Sequence, residues 1–305
     1  MPSLFKSEKG KQEIFELYDQ KLAALNIPSE SIYIKTSFGK THLLKTGSPS
    51  LPPLILVHGS NGCAPIALEC YPNLSSTYQI FAVDVLAQPN KSAETKLSMK
   101  DESYGKWINE IIDRLELENV ILAGFSFGGL VILKTLIHKQ EKVKEAFLAS
   151  PAYIVNGNPL KALFKIFIPM KRYIKTHNIK YIEQFLSIVF TKRDEFAVNF
   201  LSKVFLHFDM DFTPVPVISK KEAQKINTPI TILGAGKDIL FPGIKMKKRA
   251  IKLFPSLKQF ILLADSKHVQ DSKGNLIFEE LILKQATGRL EQRSQTASLS
   301  LSDSE

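Results

Sequence analysis

A serine hydroxyl becomes a useful nucleophile only when a base takes its proton, so a serine placed to meet a histidine is the first thing to look for. Ser126 stands in the run Gly124-Phe125-Ser126-Phe127-Gly128-Gly129, which fits G-x-S-x-G. The run follows the apolar segment NVILA directly and precedes the helical segment GLVILKTLI. That strand–turn–helix context is what the pattern requires, and it argues against a chance glycine-rich turn. In such a turn the serine backbone is strained and its Oγ is presented above the C-terminal edge of the sheet. The helix N-terminus there favours developing negative charge. Side chains at positions 124 and 128 would clash, so both must be glycine.

The base has to come from six histidines. His42 lies in an N-terminal hairpin, His138 ends a helix, and His177 and His207 fall in a long insertion. His58 follows a strand ahead of the nucleophile, where it suits loop architecture. His268 follows the last strand, in ADSKH, and precedes the helical run SKGNLIFEELILKQ, so its loop returns to the edge that carries Ser126. A carboxylate must fix its tautomer and stabilise the imidazolium. Asp238 ends the run PITILGAGKD, just after the strand one earlier, where Gly234 and Gly236 allow a turn that swings the acid inward. The strand before that ends Ala149-Ser150-Pro151-Ala152 and offers no acid. Asp265 also lies in order, but three residues from His268 it is better read as capping the loop.

A tetrahedral oxyanion needs backbone donors. The N–H of Phe127, just after the nucleophile, is one. The loop His58-Gly59-Ser60-Asn61-Gly62 supplies the other, with Ser60 the first choice and Asn61 the second. Phe125 and Asn61 are the residues expected to touch substrate.

These groups need a scaffold that brings loop ends to one edge. LILVHG (54–59), YQIFAVD (78–84), NVILAG (119–124), KEAFLAS (144–150), PITILGA (229–235) and KQFILLAD (258–265) are short apolar runs without strict alternation. Such runs suit strands covered on both faces. Helical patterns lie between several of them, clearest at 103–117 and 129–139. The expectation is an α/β fold with a doubly wound, mostly parallel sheet. Residues 11–25 form an amphipathic helix outside the sheet, within an N-terminal segment 1–29. Residues 31–47 form an exposed edge hairpin turning at Phe38-Gly39.

Almost 80 residues separate the strand ending near Ser150 from the one starting near Pro229, far more than a crossover needs. Residues 153–225 are therefore read as an inserted helical cap on a core of 30–152 and 226–288. The cap holds twelve Phe and Tyr between Tyr153 and Phe212. Most should pack its own small core, and a few, with Phe125 or Phe127, should line an apolar acyl pocket. The cap lysines should face solvent. Segment 289–305 is serine-rich, poor in apolar residues and read as a disordered tail.

Composition bounds the rest. A hydrophobic fraction of 44% is ordinary for a globular protein. Cys63 and Cys70 sit in no CxxC pair or ligand cluster, which suits free thiols in a reducing compartment and no metal site. No window is apolar enough for a membrane span and the N-terminus lacks a signal-peptide core, so a soluble cytoplasmic protein is expected. The net charge of +10 comes mainly from lysines scattered among acids, a poor match to nucleic-acid recognition. Nothing in the sequence sets the oligomeric state.

The elbow, the loop at 58–62 and the order Ser126, Asp238, His268 together resemble the α/β-hydrolase superfamily, over about residues 30–288. The N-terminal helix FKSEKGKQEIFELYDQKLAAL and the segment AVDVLAQPNKSA (82–93) resemble bacterial carboxylesterase-like members of it. The resemblance implies a serine esterase that cleaves a small or medium apolar ester through an acyl-enzyme, without a cofactor. Phe125 stands where many relatives carry histidine, which leaves the substrate class open. Ser126 where some relatives carry aspartate argues against dehalogenase and epoxide-hydrolase chemistry. C–C bond hydrolases, thioesterases and other acyl hydrolases share the same three groups. A non-catalytic receptor or scaffold of this fold usually lacks one of them.

Overall fold

The computed structural model describes residues 3–285, so the serine-rich segment 289–305 lies outside the described residues. Helix α1 (Glu8–Ala24) starts where the Ser7 side chain accepts the Gly10 N–H, and its apolar stripe buries Ile14, Leu17 and Tyr18. Strands β1 (Ser29–Thr36) and β2 (Gly39–Thr46) follow, then β3 (Pro53–Val57), α2 (Ala64–Cys70) and β4 (Gln79–Val83). Next come α3 (Ser103–Arg114), β5 (Val120–Phe125), α4 (Phe127–His138) and β6 (Val143–Ala149). The long interval holds α5 (Pro159–Ala162), a π turn at Leu163–Phe167, α6 (Ile168–Thr176), α7 (Ile179–Val189), α8 (Glu195–His207) and α9 (Lys220–Ala223). The chain then returns to β7 (Ile230–Ala235), α10 (Gly243–Leu253), β8 (Leu257–Leu263) and a final helix α11 over 272–285.

The eight strands form one sheet in the order β1-β2-β4-β3-β5-β6-β7-β8. The first two pairings are antiparallel and all others parallel. From β3 the chain goes to β4 on one side and then recrosses to β5 on the other. The order therefore reverses at β3 and β5, and a crevice opens beyond their C-terminal ends. Register makes those ends level: Val57 lies opposite Gly124, Phe125 opposite Ala149, and Ala149 opposite Leu233.

The uninterrupted apolar runs are explained by burial on both faces: β7 is buried throughout, and β3 and β5 at all but one residue. One face packs on α3, α4 and α10, and the other on α2 and on Phe278 and Ile282 of α11. The N-terminal hairpin differs from its sequence reading. Only β1 is an exposed edge; β2 is largely buried because it pairs with β4 on its other side. Its turn falls on Ser37-Phe38, one residue early, where the Thr36 hydroxyl accepts the Phe38 N–H at 3.2 Å and donates to the Gly39 carbonyl at 2.8 Å.

A third apolar cluster lies apart from the sheet. In it Phe5, Ile14 and Tyr18 from the N-terminal segment pack with Phe200, Phe205 and Phe208 of the inserted segment. Helix α1 is thus outside the sheet but braces the insertion. Cys63 and Cys70 are free thiols. Among the described residues no helix is long and apolar enough to cross a membrane.

Trp107 of α3 ties the helical layer to the hairpin. It is fully buried, and its indole N–H donates to the buried Thr41 hydroxyl at 2.9 Å. Replacing it with Phe leaves a void and an unpaired hydroxyl. Trp107→Phe should lower unfolding stability by about 2 kcal/mol or more, read as a lower urea midpoint at unchanged slope.

Candidate active site

Ser126 is the residue between β5 and α4, and its backbone is left-handed, at φ 52° and ψ −112°. Non-glycine residues adopt that region at a cost, so neighbours must hold it. The Ser126 N–H donates to the Ala149 carbonyl at 2.9 Å, and the Ser126 carbonyl accepts from Gly129 and Ala152, both at 2.9 Å. Glycine at 128 is dictated by close approach, since a Cβ there would lie 2.3 Å from the Val57 carbonyl oxygen. A Cβ at 124 would meet the Gly128 backbone at 2.9 Å. Helix α4 can begin against β3 only without these side chains.

His268 lies between β8 and α11, and its Nε2 is 2.9 Å from Ser126 Oγ. Its Nδ1 is 2.7 Å from Asp238 Oδ2. All three residues are buried, each at 7% exposure or less. Asp238 follows β7, and its Oδ1 accepts the N–H groups of Leu240 at 2.7 Å and Phe241 at 3.0 Å. Burial alone would raise the Asp238 pKa. The His268 charge, the His268 hydrogen bond and the two backbone donors outweigh it and hold the carboxyl below its ordinary value. An ionised carboxylate only accepts, so Nδ1 carries a proton; in the neutral ring Nε2 is then free to accept from the Ser126 hydroxyl. Asp265 is elsewhere: its side chain is 91% exposed and pairs with Lys237 at 2.8 Å. It neither approaches His268 nor caps the loop.

Known proteins share this architecture. Residues 52–169 match the family described as alpha/beta hydrolase fold. Among solved structures, naproxen esterase (carboxylesterase NP) from Bacillus subtilis superposes with a TM-score of 0.78 at 23% identity, over 93% of this chain and 99% of that one. Carboxylesterase CesB (YbfK) from the same organism gives 0.72 at 21% identity, over 94% and 98%. This chain has the α/β-hydrolase fold. In sequence, carboxylesterase YbfK of Bacillus subtilis (strain 168) is 38% identical over 141 residues, which is 45% of this chain and 47% of that protein. An uncharacterized carboxylesterase, nap, of the same strain is 34% identical over 141 residues, 45% and 46% of the two chains. The chain thus spans about half the length of the curated relatives it matches.

The α/β-hydrolase elbow leaves one backbone donor unused. Phe127 is the first residue of α4, so its N–H has no intrahelical acceptor. In the loop after β3, Asn61 has φ 57°, and its N–H is taken by Gln88 Oε1 at 2.7 Å. That bond engages the Asn61 N–H within the protein. Both Ser60 and Asn61 border the site cavity. His58 is a brace. Its Nδ1 donates to the Gly59 carbonyl at 2.7 Å and its Nε2 accepts the Val85 N–H at 3.0 Å. Burial lowers its pKa, in keeping with a neutral ring.

A cavity of about 1040 Å³ opens over Ser126 and His268, between the sheet edge and the inserted helices. Phe167, Phe185, Phe196, Phe200, Phe205 and Phe212 all contribute to its wall, more of the inserted aromatics than the few expected. Phe125 also lines it, whereas the Phe127 ring turns into the core against Tyr104 at 5.3 Å. Tyr153, Tyr173 and Phe208 pack in the interior. Lys161, Lys165, Lys171, Arg172, Lys175 and Lys180 are exposed.

Several positioning groups escaped the sequence reading. The His268 ring sits between Phe125 at 5.1 Å and Phe241 at 5.4 Å. Gln270 is buried, and its amide donates to Ser150 Oγ at 2.6 Å and to the His268 carbonyl at 3.1 Å. The loop is also stitched to the end of α7. The Val269 N–H donates to the Val189 carbonyl at 2.9 Å, the Thr191 N–H to the Val269 carbonyl at 3.0 Å, and the Lys267 N–H to the Thr191 hydroxyl at 3.0 Å. The only local signal was that polar Gln270 follows His268 closely; the other partners lie far away in sequence.

A depressed folded pKa means that Asp238 stabilises the fold above the ordinary carboxylate range, about pH 4, and that this contribution fades as pH falls through the lower folded value. The stability gap between wild type and Asp238→Asn should therefore be widest near neutrality and narrow below about pH 4. Urea unfolding at a series of pH values measures it, and a gap independent of pH would contradict the ion pairing.

Proposed function

We propose that this protein is a serine hydrolase that cleaves carboxylic esters with an apolar acyl part. The observation that carries the reading is the continuous chain from Ser126 Oγ through His268 to Asp238, at 2.9 and 2.7 Å, at the base of an aromatic-walled cavity. The likeness to bacterial carboxylesterases supports the ester class.

In this reading, Nε2 of His268 takes the Ser126 proton as Oγ adds to the ester carbonyl carbon. The carbonyl oxygen becomes an oxyanion that accepts from the N–H groups of Phe127 and Ser60. The imidazolium, steadied by Asp238, then protonates the departing alkoxide as the C–O bond breaks, leaving an acyl group on Ser126. Water repeats the sequence: His268 takes its proton, the carboxylic acid leaves, and Ser126 regains its hydrogen. No cofactor enters any step. The three groups form an unbroken hydrogen-bonded chain, which favours catalysis over a scaffold role. Phe125 and the inserted aromatics supply a pocket for the acyl chain, and Asn61 borders the same cavity.

Ser126→Ala should keep the fold and lose ester hydrolysis by about 10³-fold or more. His268→Ala should do similar damage, and the double variant little more, because the two act as a unit. Retention of over about a tenth of the activity in Ser126→Ala would identify a different nucleophile.

An apolar cavity should reward each added methylene by about 0.8 kcal/mol, or about fourfold in kcat/KM, until its length is filled. Specificity constants should rise from p-nitrophenyl acetate to butyrate and hexanoate. A flat or falling series would point to a polar acyl group instead.

A further inference from the structure

The inserted segment has two faces of different character. Pro159, Ala162, Ile166, Phe167 and Met170, from α5, the π turn and α6, border the cavity. Leu160, Lys161, Leu163, Phe164, Lys165 and Lys171 on the same continuous stretch are exposed. The helix is interrupted by the π turn just ahead of Pro169, which lacks an N–H and would clash with the carbonyl four residues earlier. The same stretch thus turns some side chains to the cavity and others to solvent.

The exposed face combines two features that seldom meet. Between Pro159 and Lys180 there are six basic residues, Lys161, Lys165, Lys171, Arg172, Lys175 and Lys180, and no acid. None of the six makes an ion pair with another described residue. The same stretch holds four of the ten large apolar side chains exposed among the described residues: Leu160 and Phe164, both 63% exposed, Leu163 at 44% and Ile179 at 49%. A solvated face would carry the charges without the Leu and Phe side chains. A protein core would bury those side chains without the charges. Cations interleaved with exposed apolar groups match a surface that is anionic at its rim and apolar just beneath.

We propose that residues 159–180 dock onto an anionic lipid bilayer, the lysines meeting headgroup phosphates while Leu160, Leu163 and Phe164 enter the acyl boundary. The cavity wall and the docking face belong to the same helical stretch. Docking therefore sets the cavity beside the membrane, and the substrate class narrows to esters of amphiphiles that partition there. Only this last step rests on the hydrolase reading. A nucleic acid would use the charges but leave the apolar side chains idle.

The test is sedimentation of full-length Ser126→Ala protein with vesicles, which reads binding without hydrolysis. Vesicles of phosphatidylcholine with about 30% phosphatidylglycerol should bind at least about tenfold more tightly than pure phosphatidylcholine, and about 0.5 M salt should weaken that binding. The triple variant Lys161→Glu, Lys165→Glu, Lys171→Glu should lose about tenfold or more, and Leu160→Ser with Phe164→Ser should also weaken binding. None of these residues borders the cavity. Thermal unfolding followed by circular dichroism checks that each variant is folded, independently of any activity. Equal binding to both vesicle types, or binding untouched by either variant, would overturn the proposal. So would preferential binding to a single-stranded oligonucleotide that survives the serine substitutions. If vesicles bind but the intact chain cleaves no ester, the hydrolase reading fails and the docking surface stands.

Discussion

The close approach of α4 to β3 is the constraint on which the site depends. It brings the start of the helix against the Val57 carbonyl and holds Ser126 in a left-handed backbone between two runs of regular structure. Such a conformation costs on the order of 1–3 kcal/mol and persists only where the surroundings over-determine it. Here three hydrogen bonds to the chain at Ala149, Gly129 and Ala152 do so. The same approach makes Phe127 the first residue of α4, where its N–H has no intrahelical acceptor.

Much of this was legible because the signals are local. Ser126 announces itself through glycines on either side, and His268 and Asp238 follow from being the polar residues at the ends of apolar runs. The strands were legible because burial on both faces leaves no polar residue to interrupt them. What escaped depends on pairing across long stretches of chain. Thr191 is 76 residues from Lys267, to which its hydroxyl bonds, and Gln270 is 120 residues from Ser150. The partner of the Asn61 N–H is Gln88, a side chain in another loop. The hairpin was misread for a related reason. Alternation at Ile32 and Ile34 described β1 correctly, but His42-Leu43-Leu44 is a continuous buried run, and its second partner, β4, lies far along the chain.

The insertion shows how composition can mislead when read as a total. A net charge of +10 spread over 305 residues looks bland. Six of those positive charges fall in one acid-free stretch, and only the fold reveals that Leu and Phe side chains stand among them in the open. Conversely, the aromatic richness of the same segment looked like ordinary packing. The cavity wall takes more of it than a small core would leave.

The stitching of the His268 loop to the end of α7 has a consequence for modularity. The imidazole is the last of the three groups to be synthesised, and its loop takes its register partly from a segment inserted between β6 and β7. The insertion is therefore not an accessory that can be exchanged as a block without disturbing the chain from Ser126 through His268 to Asp238. A transplanted insertion with a different length after Val189 would displace Val269, and with it the ring between Phe125 and Phe241. Remodelling the pocket with the His268 ring kept in place therefore calls for side-chain replacement on the existing helices, or for paired changes in the insertion and the histidine loop.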